Sequence, residues 1–397
     1  MSAKTPTKNI ALLSASQAVV GSQQALIMSV GALVGMSLAP SPSLATLPVT
    51  SMVFGLAITA APATFTIHRL GRTKAFILGA ILAIIAGLLG FVGIYLSSFL
   101  LFCVALAFGG ASAAFGNQYR FAAADSVPNE KKGSAISWVL AGGILAGFIG
   151  PALGRWGREL FVGAEYAGSF LALSGIALIG VAILSQTHLP KADNVDEKKN
   201  KTPFSELLSS PDVFVPIISG VVSYGLMVLI MVAAPLAMVV MSKHSHHDAS
   251  MAIQWHIIFM YAPSIFTAFI IAKLGARILT SIGLIIILAS VLISLHGMSV
   301  MHFNITMILL GIGWNFGFIG STTLLSQGYR PQDAARAQAL NEQLIFGTMA
   351  VASVTSGILL QMFGWQTINL LAVPIVLIAL TLLAYGAYYT KKQLSLS

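Results

Sequence analysis

His68-Arg69-Leu70-Gly71-Arg72-Thr73-Lys74 is the stretch on which the reading of this chain turns. It is basic, carries a central glycine and separates two long uncharged segments. A second stretch, Ala272-Lys273-Leu274-Gly275-Ala276-Arg277, has the same pattern. Placing Gly71 on Gly275 sets an offset of 204 residues. That offset also pairs Gly21 with Gly225, Gly79 with Gly283, Gly93 with Gly297, Gly109 with Gly313, Gly116 with Gly320 and Gly143 with Gly347. Glycines placed independently in the two halves give about 1.7 coincidences, so the chain reads as a duplication. A slip of one residue also pairs Pro128-x-Glu130 with Pro331-x-Asp333.

Working outward from the two stretches, charge is almost absent. No charged residue lies between Lys8 and Arg69, a gap of 60, or between Lys74 and Arg120, a gap of 45. A membrane-spanning helix needs about 20 apolar residues, so each gap holds two. Gly133–Gly154, Tyr166–Pro190, Val213–Ser242 and Ala249–Ala272 hold one each, while Ile278–Tyr329 and Ala337–Thr390 hold two, the last interrupted only by Glu342. Twelve spans result. Turns are expected at Pro40-Ser41-Pro42-Ser43, Ser97-Ser98, His296 to Asn304 and Phe363-Gly364-Trp365.

Composition agrees. Apolar residues make up 57 %, charged residues 8 %, and mean hydropathy is +0.88. A soluble domain carries about 25 % charge. The single cysteine, Cys103, excludes an intrachain disulfide framework. Assigning loops alternately to two sides places 18 of the 21 lysines and arginines on one of them, leaving Arg155, Arg158 and Lys243 on the other. That asymmetry puts both termini in the cytoplasm. The net charge of +9 therefore reports topology and anionic headgroups rather than nucleic acid. Lys4 and Lys8 are followed too soon by Ser14, Ser16, Gln17, Gln23 and Gln24 for a signal peptide, so the first span is expected to be retained. The expected organisation is all-α: a six-helix half over 1–187, a cytoplasmic linker over 188–210 opening a short helix near Thr202-Pro203, and a second six-helix half over 211–397.

Twelve spans, a parallel duplication and the loop Arg69-x-Gly71-Arg72 together resemble the major facilitator superfamily. The resemblance covers the whole chain. It implies alternating access about a midplane site and makes Arg69, Gly71 and Arg72 a cytoplasmic gate latch. His68 stands where the family usually has aspartate. Gly150-Pro151-Ala152-Leu153-Gly154 is similar to a motif of family antiporters, whereas the arginine that drug exporters often carry in span 4 is replaced near Ala105. The segment Asn117 to Asp125 points to an uncharacterised bacterial branch, and a resemblance to riboflavin-type vitamin permeases supplies a second reading of the cargo.

Charge inside lipid is costly, so the exceptions are candidates for function. Arg120 reads either as a cavity-facing cation or as a gate-paired arginine. Glu342 reads as a proton-coupling carboxylate or as a partner of Arg72 or Arg120. Asp125 is expected to latch Arg69 or Arg72. A cytoplasmic gate joining Arg72, Arg120, Asp125 and Glu342 is the expectation, formed in an outward-open state and broken when the cavity opens inward. The resemblance puts spans 1, 4, 7 and 10 at the centre, which makes Gln17, Gln24, Asn117, Tyr224, Trp314 and Asn315 candidate substrate contacts. Gln17 and Gln24 share one face of span 1 at helical spacing. His256 is a candidate for coupling because histidine titrates near neutrality. His244, His246, His247 and Asp248 read as an exposed loop without metal-ligand spacing.

No Gly-Lys pair and no His-Glu pair occurs, which removes Walker A and HExxH chemistry. No enzyme activity, cofactor, metal or nucleic acid is expected. The sequence reads as a monomeric, proton-coupled secondary transporter of a small organic solute in a bacterial inner membrane. Export leads slightly on the span 5 motif, with metabolite or vitamin uptake second and a channel or passive structural protein third.

Overall fold

The computed structural model describes residues 4–127, 132–189, 204–329 and 333–394. Within them the chain is helical throughout. Spans 1 to 3 are α1 (Lys4–Leu38), α2 (Leu47–Leu70) and α3 (Arg72–Tyr95). Span 4 is split into α4 (Phe99–Gly116) and α5 (Tyr119–Ala124) by a turn at Asn117 and Gln118. Spans 5 and 6 are α6 (Lys132–Gly157) and α7 (Ala167–Leu184). A short helix, α8 (Phe204–Ser209), precedes span 7, α9 (Pro211–Leu236). Span 8 is also broken, into α10 (His246–Tyr261) and α11 (Ser264–Leu274). Spans 9 and 10 are α12 (Ala276–His296) and α13 (Val300–Gly328). Spans 11 and 12 form one continuous run, α14 (Ala334–Leu394), that bends at Gly364, where φ is 78°.

Among the described residues ten helices are long and apolar enough to cross a membrane. The difference from twelve has two physical causes. Gly364 reverses the chain without a loop, so two spans are joined in one run. Pro263 removes a backbone donor within span 8, leaving two pieces each too short to cross alone. The anticipated turns appear. A 3-10 turn covers Pro42–Leu44, Ser98 caps α4 through the Leu101 amide, and Ser299 caps α13 through the His302 amide. The Pro128–Glu130 stretch, Pro331 and most of the linker lie outside the described residues.

Gly71 and Gly275 have identical backbone angles, φ 83° and ψ 156°, each ending one helix and starting the next. Essentially only glycine occupies this region. A side chain at either position would meet nothing within 4 Å, so the requirement is conformational and not one of space. Gly79 and Gly283, also paired by the offset, both admit the next span: Gly79 lies against Phe115 and Gly283 against Gly317. Gly347 meets nothing, so its match with Gly143 is not a packing demand. Span 2 crosses span 4 where Gly55 faces the Ala107 carbonyl and Gly110 faces the Met52 carbonyl. Such approaches need residues without a side chain, as is usual for helices packing in lipid.

Spans 1–6 pack chiefly among themselves, as do spans 7–12. Spans 5 and 8 meet along one seam between the two sets, and spans 2 and 11 along another. On the side of the 5–6 and 7–8 loops these seams are tied by hydrogen bonds. Arg155 donates to Ser250 at 3.0 Å and to Gln254 at 2.9 Å. Thr50 donates to Ser353 at 2.8 Å, and Tyr166 and His246 share a bond of 2.6 Å. Burial holds the Tyr166 phenol above its ordinary range, so it meets the imidazole as a neutral hydroxyl.

Candidate functional site: a central cavity

A cavity of about 460 Å³ lies between the two sets of spans. It runs from Met28, Met52 and Trp314 at mid-depth to Phe121, Tyr329 and Gln338, at the end of the bundle where α1 begins. The opposite end is closed by the bonds of Arg155, Tyr166 and Thr50. A volume of this size suits a drug-sized organic molecule.

Each wall follows from its helix. Gln17, Gly21 and Gln24 line the cavity from α1, as their spacing requires. Asn117 lies in the break in span 4 and Arg120 just beyond it, and both line the cavity. Tyr224 lines it from α9, and Trp314, Asn315 and Phe318 from α13. Trp314 and Phe318 are stacked, with centroids 5.3 Å apart and planes at 12°. Tyr224 stands perpendicular to both, at 87°. Six of the chain's fifteen methionines (Met28, Met52, Met227, Met231, Met260 and Met349) complete the wall. Their flexible thioethers suit the face and edge of an aromatic ring.

All seven candidate substrate contacts therefore reach one cavity, but Asn315 is already committed. Its Nδ2 donates to the Met260 carbonyl and to the Ser264 hydroxyl, both at 2.7 Å, and its Oδ1 accepts from Thr267 at 2.9 Å. These partners flank Pro263. The amide bridges the break in span 8, and Asn315 is 1 % exposed. The expectation that it reads the cargo is corrected to a clamp on a discontinuous helix. Asn315→Leu strips the Met260 carbonyl of this donor inside the bundle, a loss worth about 1–3 kcal/mol. A clear fall in the melting temperature of the detergent-purified variant is expected. An unchanged melting curve would show that the break holds without the clamp.

With the cavity open at the end where α1 begins, the four gate residues are not all joined, as expected of an inward-open state. Arg72 is paired with Asp125, as one reading of Asp125 required. Arg120 and Glu342 lie apart from them, on the cavity wall. The guanidinium of Arg120 rests 4.8 Å from the Phe121 ring, on a wall it shares with Glu342, Tyr224 and Tyr261. No ion pair within 4 Å joins Arg120 to Glu342 among the described residues. Arg72 and Asp125 tie the 2–3 loop to the end of span 4 inside one set of spans. Arg69 is exposed beside Gly71. His256 is 0 % exposed, with Nδ1 2.8 Å from the Met307 carbonyl, and is not on the cavity wall. It packs span 8 against span 10, and this buried position removes the ground for a coupling role. The histidine cluster is likewise occupied. His246 meets Tyr166, His244 meets the Met298 carbonyl at 2.7 Å, and Asp248 forms a capping box with Ser245.

Sequence reasoning missed Tyr261, Thr322, Ser326, Gln338 and Asn341 on the wall. Asn341 stood beside Glu342, and Tyr261 stood just before the proline that breaks span 8. Both signals were in view, but neither is distinctive without the bend.

Residues 13–348 match the Major Facilitator Superfamily. The chain belongs to that superfamily. It is similar to a riboflavin transporter, RfnT, of Brucella anthropi, 40 % identical over 375 residues that cover 94 % of each chain. An uncharacterised MFS-type transporter of Bacillus subtilis, YddS, is 27 % identical over 93 % of this chain and 90 % of its own. Among solved structures, a bacterial homologue of the lysosomal transporter Spinster, in an inward-facing and occupied conformation, superposes with a TM-score of 0.75 at 12 % identity, covering 98 % of both chains. The xylose transporter XylE of E. coli, in a partially occluded inward-open conformation, gives 0.70 at 14 % identity over 94 % of this chain and 97 % of its own. The chain is thus a multi-pass membrane transporter of the superfamily, with a small molecule as cargo.

Proposed function

We propose that this transporter carries riboflavin, or a flavin of its shape, into the cell. The observation that carries the reading is the 40 % identity to the riboflavin transporter over nearly the whole chain. The cavity supports it chemically. A flavin presents a flat tricyclic ring edged with carbonyls and an N–H, and a sugar-alcohol tail. Trp314, Phe318 and Tyr224 offer faces and an edge to such a ring, and aromatic pairs of this geometry are favourable. Gln17, Gln24 and Asn117 offer amides that both donate and accept to the ring edge or tail. Vitamin uptake, second to export in the sequence reading, is placed first here, ahead of the Gly150-Pro151 motif.

The reading takes each six-span set as a rigid unit, 1–187 and 211–397, rocking about the cavity. It takes the inner membrane as the site and the side rich in arginine and lysine as cytoplasm. A monomer suffices, since the cavity lies within one chain. Purified protein in liposomes is expected to accumulate labelled riboflavin saturably. Linear, unsaturable flux would instead mark a channel, and no flux at all would reject the cargo. Proton coupling is the finer expectation. Flux that ignores a reversed pH gradient would remove it.

A further inference from the structure

Among the described residues on the cavity wall, Arg120 and Glu342 are the only two that carry charge. The remaining wall is amide, hydroxyl, aromatic, thioether and aliphatic. The two charges are opposite, and no ion pair within 4 Å joins them. Glu342 is exposed to the cavity. The Nε of Arg120 is buried and has no hydrogen-bond partner. One of two oppositely charged groups has thus kept a donor free, while the other stands open to the cargo.

Resting on the flavin reading above, we propose that Arg120 and Glu342 form a charge filter that admits neutral riboflavin and rejects flavins bearing a phosphate. With both groups ionised the cavity has no net charge. A neutral ring with a hydroxylated tail can receive hydrogen bonds from Arg120 and donate to Glu342, so it costs no uncompensated charge. A phosphomonoester brings between one and a half and two negative charges at neutral pH. In a wall of low polarity, a charge without a partner is expensive. Arg120 alone would welcome it, but Glu342 opposes it at close range. The carboxylate is therefore the specificity-determining group, and Arg120 is the cation it holds in check. This task needs Glu342 ionised while cargo loads, which sets it apart from a proton carrier.

The test compares affinities for riboflavin and flavin mononucleotide, read by quenching of flavin fluorescence on the purified full-length protein. Wild type is expected to bind riboflavin at least about tenfold more tightly. Glu342→Gln leaves Arg120 unopposed and is expected to close or invert that ratio. Arg120→Gln leaves the carboxylate alone and is expected to widen it. The ratio is the readout, because a merely structural change would weaken both ligands together. Riboflavin binding with no discrimination in wild type overturns the filter alone. So does a ratio that neither substitution moves, since shape would then exclude the phosphate. If Glu342→Gln does not fold, the wild-type ratio and Arg120→Gln decide the matter. Absence of riboflavin binding in wild type overturns the cargo reading and the filter with it.

Discussion

Valine at Gly110 is expected to leave no folded transporter to purify. The α carbon of Gly110 lies against the Met52 carbonyl, and Leu56 follows one turn along the same face of span 2. Even a methyl group there would overlap backbone, which cannot rotate out of the way as a side chain can. On the opposing helix Gly55 meets the Ala107 carbonyl, so the crossing is tight from both sides. Overpacking a core costs about 1–3 kcal/mol where neighbours can shift, and more where they cannot. Spans 2 and 4 would have to separate, opening the seam that span 2 shares with span 11. Size-exclusion chromatography after detergent extraction provides the measurement. A monodisperse peak from Gly110→Val, at wild-type yield, would mean that the crossing is looser than its backbone distances imply. Gly347→Ala is the companion control, since nothing lies within 4 Å of that position.

Removal of the Trp314 ring is the second large effect, and it falls on binding rather than folding. The indole is 7 % exposed and stacked on Phe318, while its Nε1 has no hydrogen-bond partner. A buried indole N–H ordinarily finds a partner. Here the nitrogen is itself buried, so a cargo carbonyl would reach it only if the ring shifts on binding. Stacking a flat heterocycle on an aromatic side chain is worth about 1–3 kcal/mol by alanine substitution. Trp314→Ala is thus expected to weaken flavin binding by roughly tenfold to a hundredfold. Trp314→Phe should recover most of the loss, the remainder being the share of the N–H. Titration with riboflavin, followed by fluorescence, measures both. Equal affinity for all three proteins would place the cargo away from the aromatic shelf.

The architecture was legible because lipid constrains sequence so strongly. Uncharged gaps have to be spans, basic loops have to face one way, and glycine at 71 and 275 has to serve a backbone that other residues avoid. What escaped was where helices break. Pro263 and Gly364 were plain in the sequence, yet a proline within a span can kink, split or be absorbed, and only packing decides. The same gap explains Asn315. An asparagine beside a tryptophan on a central span reads as a ligand contact until the split in span 8 reveals the carbonyl that it serves. His256 shows the limit from another direction, since its face on the helix depends on a register that apolar residues all around do not fix. The four-residue gate belongs to the other orientation of the two halves, so an inward-open cavity leaves it broken.

The hydrogen bonds that hold the two sets of spans together differ in kind from the ion pairs. Among the described residues, the ion pairs of Arg72 with Asp125, Arg158 with Glu159 and Glu165, and Arg277 with Asp212 each join residues of the same set. Across the seam, Arg155 meets a hydroxyl and an amide, Tyr166 meets an imidazole, and Thr50 meets a serine. Salt screens exposed pairs of opposite charge over roughly 8–10 Å and has little hold on bonds to neutral partners. Ionic strength should therefore soften each half while leaving the balance between its two orientations almost untouched. A transporter built this way can keep the same working cycle in dilute and in briny surroundings.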